Sequence, residues 1–470
     1  NQKAKDCYEK AIEINPNYLA AHSNLGNIFK EFGENQRAKE CYEKVIEINP
    51  THAHALNNLG VIFENLGENQ KAKDCYEKAI EINPNYLDAL NNLGVIFKNL
   101  GKYQKAKDCY EKVIEIDPNY IAALNNLGTM FNVLGNHPKA ISCYERVLEI
   151  DPNNAEPYNN LGVICYELSE YQKAKDCYER AIKINPNYTD ALYNLGVLFF
   201  SIKKDKNAAE QFKLINYKNS KSYLLNCLYN MNDKSTFLKV LDELIKQSES
   251  NPIIGSLTSR SEIKYGIKKP NLFCEEPLKY TLMTNLTEEY DFENIFVKPI
   301  KDILKENTFS FRRQDLLKNS NQTAGNIFDK KNNFLDKIKN IIHLEVKKYQ
   351  EHFKESTEGV IRNWPKSYSI YAWLVSMKSG GKINPHMHDV GWLSGSFYIN
   401  VPPKLKADSG NLVLCIDDNE QESQNNLNPK KIMNVTTGSL CLFPSSLYHY
   451  TIPFESKEDR IVLAFDVRPD

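Results

Sequence analysis

The markers of the first 200 residues recur every 34 positions, and that period constrains the fold more than any other feature of the chain. Cysteines stand at Cys7, Cys41, Cys75, Cys109, Cys143 and Cys177, prolines at Pro16, Pro50, Pro84, Pro118, Pro152 and Pro186, and glycines at Gly26, Gly60, Gly94, Gly128, Gly162 and Gly196. Each unit holds two stretches with apolar residues at helical spacing, such as "AALNNLGTMFNVLG" and "HPKAISCYERVLEI". The glycine allows two helices to approach closely, and the proline ends the second helix and turns the chain. A unit of this kind cannot bury its apolar face alone, so neighbouring units must stack. The opening "NQKAKDCYEKAIEINP" recurs letter for letter at 69–84, so the chain is expected to begin inside a repeat.

The eleven cysteines do not form a disulfide framework on this reading. One cysteine per repeat bridges a neighbour only if stacking brings the Cα atoms within about 7 Å. Small reduced thiols inside the stack are the expectation, and with them a reducing, cytoplasmic compartment. Fifty-nine basic against 60 acidic residues leave no global electrostatic case for a nucleic-acid partner or an anionic membrane. No apolar run is long enough to span a bilayer.

The repeats resemble the tetratricopeptide repeat, with its pattern of Gly, Ala, Tyr and Pro in two helices. Five full units cover 17–186, and 187–220 form a degraded sixth in which Gln211 replaces the periodic cysteine. Residues 221–270 read as a helical cap and a connection, since a terminal unit has no neighbour to stack on. From 271 the texture changes. "FLDKIKNIIHLEVKKYQEHFKE" is a long amphipathic helix, and from about 366 come short runs rich in β-branched and aromatic residues, including "YSIYAWLVSMK", "SGSFYINV", "SLCLF" and "RIVLAFDV". Helices before strands predict an α+β domain over 271–470 with a jelly-roll core. The whole is multidomain, an all-α superhelix followed by that domain.

Only nine histidines occur, yet His386 and His388 stand one residue apart in "INPHMHDVGWLSGSFYINVP". On a strand, positions i and i+2 face one way, so two imidazoles project together and a third from a neighbouring strand, His449 in "FPSSLYHYTIP", completes a metal set. Arg460 opens the next strand-like run. The ordinary alternative is a set of polar residues at a strand mouth. The motifs from 366 to 470 resemble those of iron(II)- and 2-oxoglutarate-dependent oxygenases, which share a double-stranded β-helix. That resemblance implies Fe(II) as cofactor, 2-oxoglutarate as co-substrate, Arg460 on the distal carboxylate of 2-oxoglutarate, and Tyr371 or Tyr398 assisting it. The superfamily's first motif is His-x-Asp or His-x-Glu, whereas position 388 is histidine. Either the site is His386, His388 and His449, or a bulge turns Asp389 inward in place of a histidine. Trp373 and Trp392 read first as packing and second as substrate wall.

Asparagine also keeps the period, at Asn24, Asn58, Asn92, Asn126, Asn160 and Asn194, although it is a poor residue inside a helix. The array resembles that of protein O-GlcNAc transferases, in which such a ladder grips an extended peptide. Recent duplication of one unit would also copy the position. The reading is therefore a hydroxylating oxygenase with a repeat array that recruits a protein or peptide. Two rivals stay open: a repeat scaffold with a non-redox ligand-binding jelly roll, and a cupin-like metalloenzyme that does not use 2-oxoglutarate.

Overall fold

The computed structural model describes residues 2–305, 311–312, 317–323, 325–329, 332–417 and 428–470. The chain divides into two compact units, Asn1–Lys203 and Lys204–Asp470.

The first unit is a tetratricopeptide superhelix. Helices of thirteen and fourteen residues alternate, as in Leu87–Asn99 and Tyr103–Ile116, and each closes on the next through the periodic glycine. The reason for that glycine is specific. A Cβ at Gly60 would lie 2.5 Å from Cε1 of Tyr76, and one at Gly94 equally close to Tyr110. The tyrosine rings fill the space a side chain would take, and Tyr42, Tyr76 and Tyr110 are fully enclosed. Gly67, with φ +75°, makes the left-handed turn between the two helices of its unit, and Ser169 takes the same conformation later in the array. The periodic thiols are unpaired; Cys41 and Cys75 are buried, Cys109, Cys143 and Cys177 half-buried, and Cys7 is exposed. Burial pushes the Cys41 thiol up to about 11.

The second unit starts earlier in the chain than the change of texture at 271. It takes in the helices Asp205–Phe212, Ser220–Asn230, Lys234–Lys246 and Pro252–Tyr265, which the sequence presents as the tail of the array and its cap. A buried ion pair ties the last of them to the sheets, from Arg260 Nε to Asp417 Oδ1 at 3.0 Å.

Among the described residues ten strands follow: β1 (Leu282–Asn285), β2 (Phe311–Arg312), β3 (Leu317–Thr323), β4 (Tyr368–Ile383), β5 (Leu393–Asn400), β6 (Leu412–Cys415), β7 (Lys430–Met433), β8 (Ser439–Pro444), β9 (Tyr448–Thr451) and β10 (Arg460–Pro469). They form two antiparallel sheets, one in the order β1-β8-β5-β10-β4-β3-β2 and one in the order β7-β6-β9, consistent with a jelly roll. The period of two sorts β4 and β10 into two faces. Ile370, Ala372 and Leu374 on β4 and Ile461, Leu463, Phe465 and Val467 on β10 enter a core shared with the helix Asn333–His352, through Ile338, Ile342 and Val346. The alternate residues of both strands line a cavity on the other face. Among the described residues, no helix is long and apolar enough to cross a membrane.

Candidate metal centre

The cavity holds about 450 Å³, within the usual range for a small-molecule site. Its floor is two rows in register: Arg460, Val462, Ala464, Asp466 and Arg468 on β10, facing Met377, Val375, Trp373 and Tyr371 on β4. Over this floor stand His386, His388 and His449, with one candidate ligand atom from each lying within 4.8 Å of the others.

Two of the three histidines sit outside any regular strand. β4 ends at Ile383, and Pro385, which has no N–H, breaks the ladder before His386. His386 then makes a single antiparallel bridge to His449, with N–H···O distances of 3.2 and 2.8 Å. His388 follows in an irregular segment. The two-residue spacing still brings their rings together, with centroids 5.2 Å apart. His449 is on β9 and almost wholly buried.

The hydrogen bonds determine the tautomers. Nδ1 of His386 lies 3.0 Å from the carbonyl oxygen of Asn384, and Nδ1 of His388 lies 2.6 Å from Oδ1 of Asp466. Neither oxygen can donate, so both Nδ1 atoms carry a proton, and in the neutral rings both Nε2 atoms present a lone pair. These two lone-pair nitrogens are 3.3 Å apart. Two neutral acceptors at that distance repel unless a cation lies between them. Nitrogens bound to one metal at about 2.1 Å, at angles between 90° and tetrahedral, are about 3.0–3.4 Å apart. The third histidine adds an orphan, because Nδ1 of His449 is buried without a hydrogen-bond partner. Burial and the neighbouring imidazoles hold His386 neutral, pulled down to about 4, and lower His449 well below the usual range. Three converging imidazoles, that of His449 buried and those of His386 and His388 half-buried, fit a divalent transition metal, and iron(II) is among those that imidazole suits.

Asp389 is not in this cluster. It lines the cavity, but its Oδ2 accepts a hydrogen bond from the hydroxyl of Tyr223. The carboxylate nearest the set is instead Asp466, one hydrogen bond behind His388. Burial alone would raise the Asp466 carboxyl; His388, Arg468 and Ser394 outweigh it and keep the group lowered. Sequence reading passed over Asp466. The signal was available, because Asp466 lies at an even spacing from Arg460 on one strand, and even spacing means one face.

Arg460 is 1% exposed. Its Nη2 donates to the Gly410 carbonyl at 2.8 Å, Nη1 reaches Thr451 Oγ1 at 3.4 Å and Met377 Sδ at 3.5 Å, and Nε is buried with no partner. Its guanidinium carbon lies 4.9 Å from the centre of the Tyr398 ring. Among the described residues it has no salt bridge, and desolvation by burial lowers its pKa. Tyr398 is fully buried beside it, whereas Tyr371 lies toward the other end of the floor, under the guanidinium of Arg468 at 3.7 Å. Trp373 meets His388 edge-on at 5.3 Å, on the cavity side. Trp392 is packing: its ring meets Phe273 and its Nε1 donates to the Val360 carbonyl.

In the first unit five of the periodic asparagines bond to asparagines outside their own set. Asn92 Nδ2 donates to Asn57 Oδ1 and Asn126 Nδ2 to Asn91 Oδ1, both at 3.1 Å, and Asn194 Nδ2 to Asn159 Oδ1 at 2.9 Å. Asn58 donates to Asn27 at 3.3 Å, and Asn160 accepts from Asn159 at 3.3 Å. Asn24 is exposed. The acceptors Asn57, Asn91 and Asn159 are buried, so at these three steps of the array a carboxamide bond joins a repeat to the one before.

Comparison with known proteins agrees with both halves. Tetratricopeptide-repeat family models match residues 1–18, 20–52, 53–86, 87–120, 119–187 and 177–211. A family described as "Putative 2OG-Fe(II) oxygenase" matches residues 371–466, which include the three histidines and all of the cavity floor but Arg468. No curated protein matches the chain. Solved repeat structures are similar to part of it. YrrB, described as a TPR protein with an unusual peptide-binding site, is 27% identical over 39% of this chain and 95% of its own, with a TM-score of 0.33. MamA is 29% identical over 32% and 89%, with a TM-score of 0.30. Pseudomonas aeruginosa pilF is 19% identical over 44% and 97%, with a TM-score of 0.40. The chain thus joins tetratricopeptide repeats to a region, residues 371–466, that matches the family described as "Putative 2OG-Fe(II) oxygenase".

Proposed function

We propose that the chain is an iron(II)- and 2-oxoglutarate-dependent oxygenase that hydroxylates a protein or peptide recruited by its repeats. The observation that carries the reading is the presence in one cavity of three imidazoles with converging lone pairs and a buried guanidinium without a carboxylate. His386, His388 and His449 would hold the iron, leaving positions open for a bidentate 2-oxo acid and for dioxygen. Asp466 keeps the proton of His388 on Nδ1 and stands in, one bond removed, for the carboxylate that the ligand set lacks. Iron(II) with 2-oxoglutarate supplies oxidative decarboxylation coupled to oxidation of a substrate C–H bond.

Arg460 would receive the distal carboxylate in a charge-assisted, forked pair. Its partner Thr451 and the ligand His449 are two residues apart on β9, and both line the cavity. Two residues of strand span on the order of 7 Å, a gap that a short diacid bridges from metal to arginine. Trp373 and Tyr371 line the same cavity and would flank a substrate side chain there. In the array, Asn92 and Asn126 each spend one amide hydrogen on a neighbouring repeat and keep further donor and acceptor capacity for a peptide backbone.

Release of succinate from 2-oxoglutarate by the purified chain with Fe(II), lost in His386→Ala, is the expected result. Metal binding without succinate release would favour the cupin-like reading. An absence of both would leave a repeat scaffold.

A further inference from the structure

The helices that precede the sheets touch the chain on either side of the metal ligands. Tyr223, in the helix Ser220–Asn230, donates from its hydroxyl to Asp389, the residue after His388. Tyr223 is 7% exposed, and its ring stacks on Phe212 with centroids 5.4 Å apart. Arg260, in the helix Pro252–Tyr265, donates through Nη1 to the hydroxyl of Tyr448 at 2.8 Å. Tyr448 is the residue before His449. The Arg260 guanidinium also lies between two rings, 4.6 Å from that of Tyr229 and 4.8 Å from that of Tyr448. One helical layer therefore grips the chain one residue past His388 and one residue before His449.

These are costly contacts for ordinary packing. A buried Arg–Asp pair stabilises no more than a well-packed apolar substitute of equal volume, and often less. What charged and hydroxyl partners add is direction. The histidine segment needs it, because His386 is held by one bridge and His388 lies outside any strand. Ligands of a metal must be held within about 0.5 Å of the right geometry, which takes a supporting shell.

We propose that Tyr223 and Arg260 are positioning residues of the metal centre, so that the helical layer from 205 to 265 sets the approach of His388 and His449. The proposal rests on the three-histidine metal reading. It makes those helices part of the catalytic unit, although the matched oxygenase family covers only 371–466.

The test uses the full chain with Co(II) as probe, read by titration and by its visible ligand-field absorption, beside an unfolding curve. Tyr223→Phe removes one oxygen atom, and Arg260→Lys keeps the charge while losing the fork. Each is expected to weaken Co(II) binding about 10-fold, the lower end for loss of an outer-shell partner, and to alter the absorption spectrum, by more than any shift of the unfolding midpoint accounts for. Parent-like affinity and spectrum in both variants would overturn the proposal. So would loss of affinity that only tracks loss of stability, or tighter binding in Tyr223→Phe, which would mean that the tyrosine withholds Asp389 from the metal. The parent and His386→Ala provide the separate control. Equal Co(II) binding by those two would refute the triad itself, and this inference with it.

Discussion

Replacing Arg460 by methionine should separate co-substrate binding from folding. The guanidinium is 1% exposed and has no salt bridge among the described residues. Removing it relieves a buried, uncompensated charge, which favours the folded state. It also leaves the Gly410 carbonyl without its donor, which costs about 1–3 kcal/mol. The two effects oppose each other, and methionine keeps most of the side-chain volume beside Met377 and Tyr398. Stability should therefore change by less than about 2 kcal/mol. Binding of 2-oxoglutarate should suffer far more, because losing one end of a buried, hydrogen-bonded charge pair costs about 2–5 kcal/mol. That corresponds to roughly a 30-fold to several-thousand-fold rise in Kd. Anaerobic titration of the Fe(II) form with 2-oxoglutarate measures this, and calorimetric Fe(II) titration checks that metal affinity holds. Trp373, beside His388 on the cavity wall, offers an intrinsic fluorescence signal. A Kd for 2-oxoglutarate equal to the parent's would refute the assignment of Arg460.

Asp466→Asn should lower Fe(II) or Co(II) affinity about 10- to 100-fold. An amide N–H facing Nδ1 would drive the proton to Nε2, toward the metal; metal affinity equal to the parent's would show that Asp466 does not set the tautomer. Replacing Asn92 and Asn126 together by alanine strands the buried Oδ1 atoms of Asn57 and Asn91, at about 1–3 kcal/mol each, partly offset by the better helix propensity of alanine. The repeat array should therefore melt at lower temperature and also bind protein substrate less well. An unchanged melting curve would mean that these inter-repeat bonds contribute nothing.

The repeat array was legible because its information is local and repeated. A 34-residue period with glycine, tyrosine and proline at set places specifies helix, close approach and turn within one unit, and each unit contacts only its neighbours. The strands of the second unit were legible from their period of two, and the histidine pair from its spacing, even though Pro385 breaks the strand on which that spacing was reasoned. Much of the cavity floor, including Asp466, was also readable from alternation along β10.

The asparagines show the limit of such reading. Their period was plain, but a one-dimensional pattern does not say whether a carboxamide meets a ligand or the next repeat. The structure pairs Asn92 with Asn57 and Asn126 with Asn91, 35 residues apart. The second unit goes further. Nothing near Tyr223 in the sequence points to Asp389, 166 positions on, and nothing near Arg260 points to Tyr448, 188 positions on. Composition and periodicity fix which face of a strand or helix is buried, because that depends only on neighbours in sequence. Which helix supplies the donor beside one of these histidines depends on how distant elements dock. By itself the sequence determined the repeats and the strands and singled out the three histidines and Arg460; the tertiary structure decided which distant residues lie beside them.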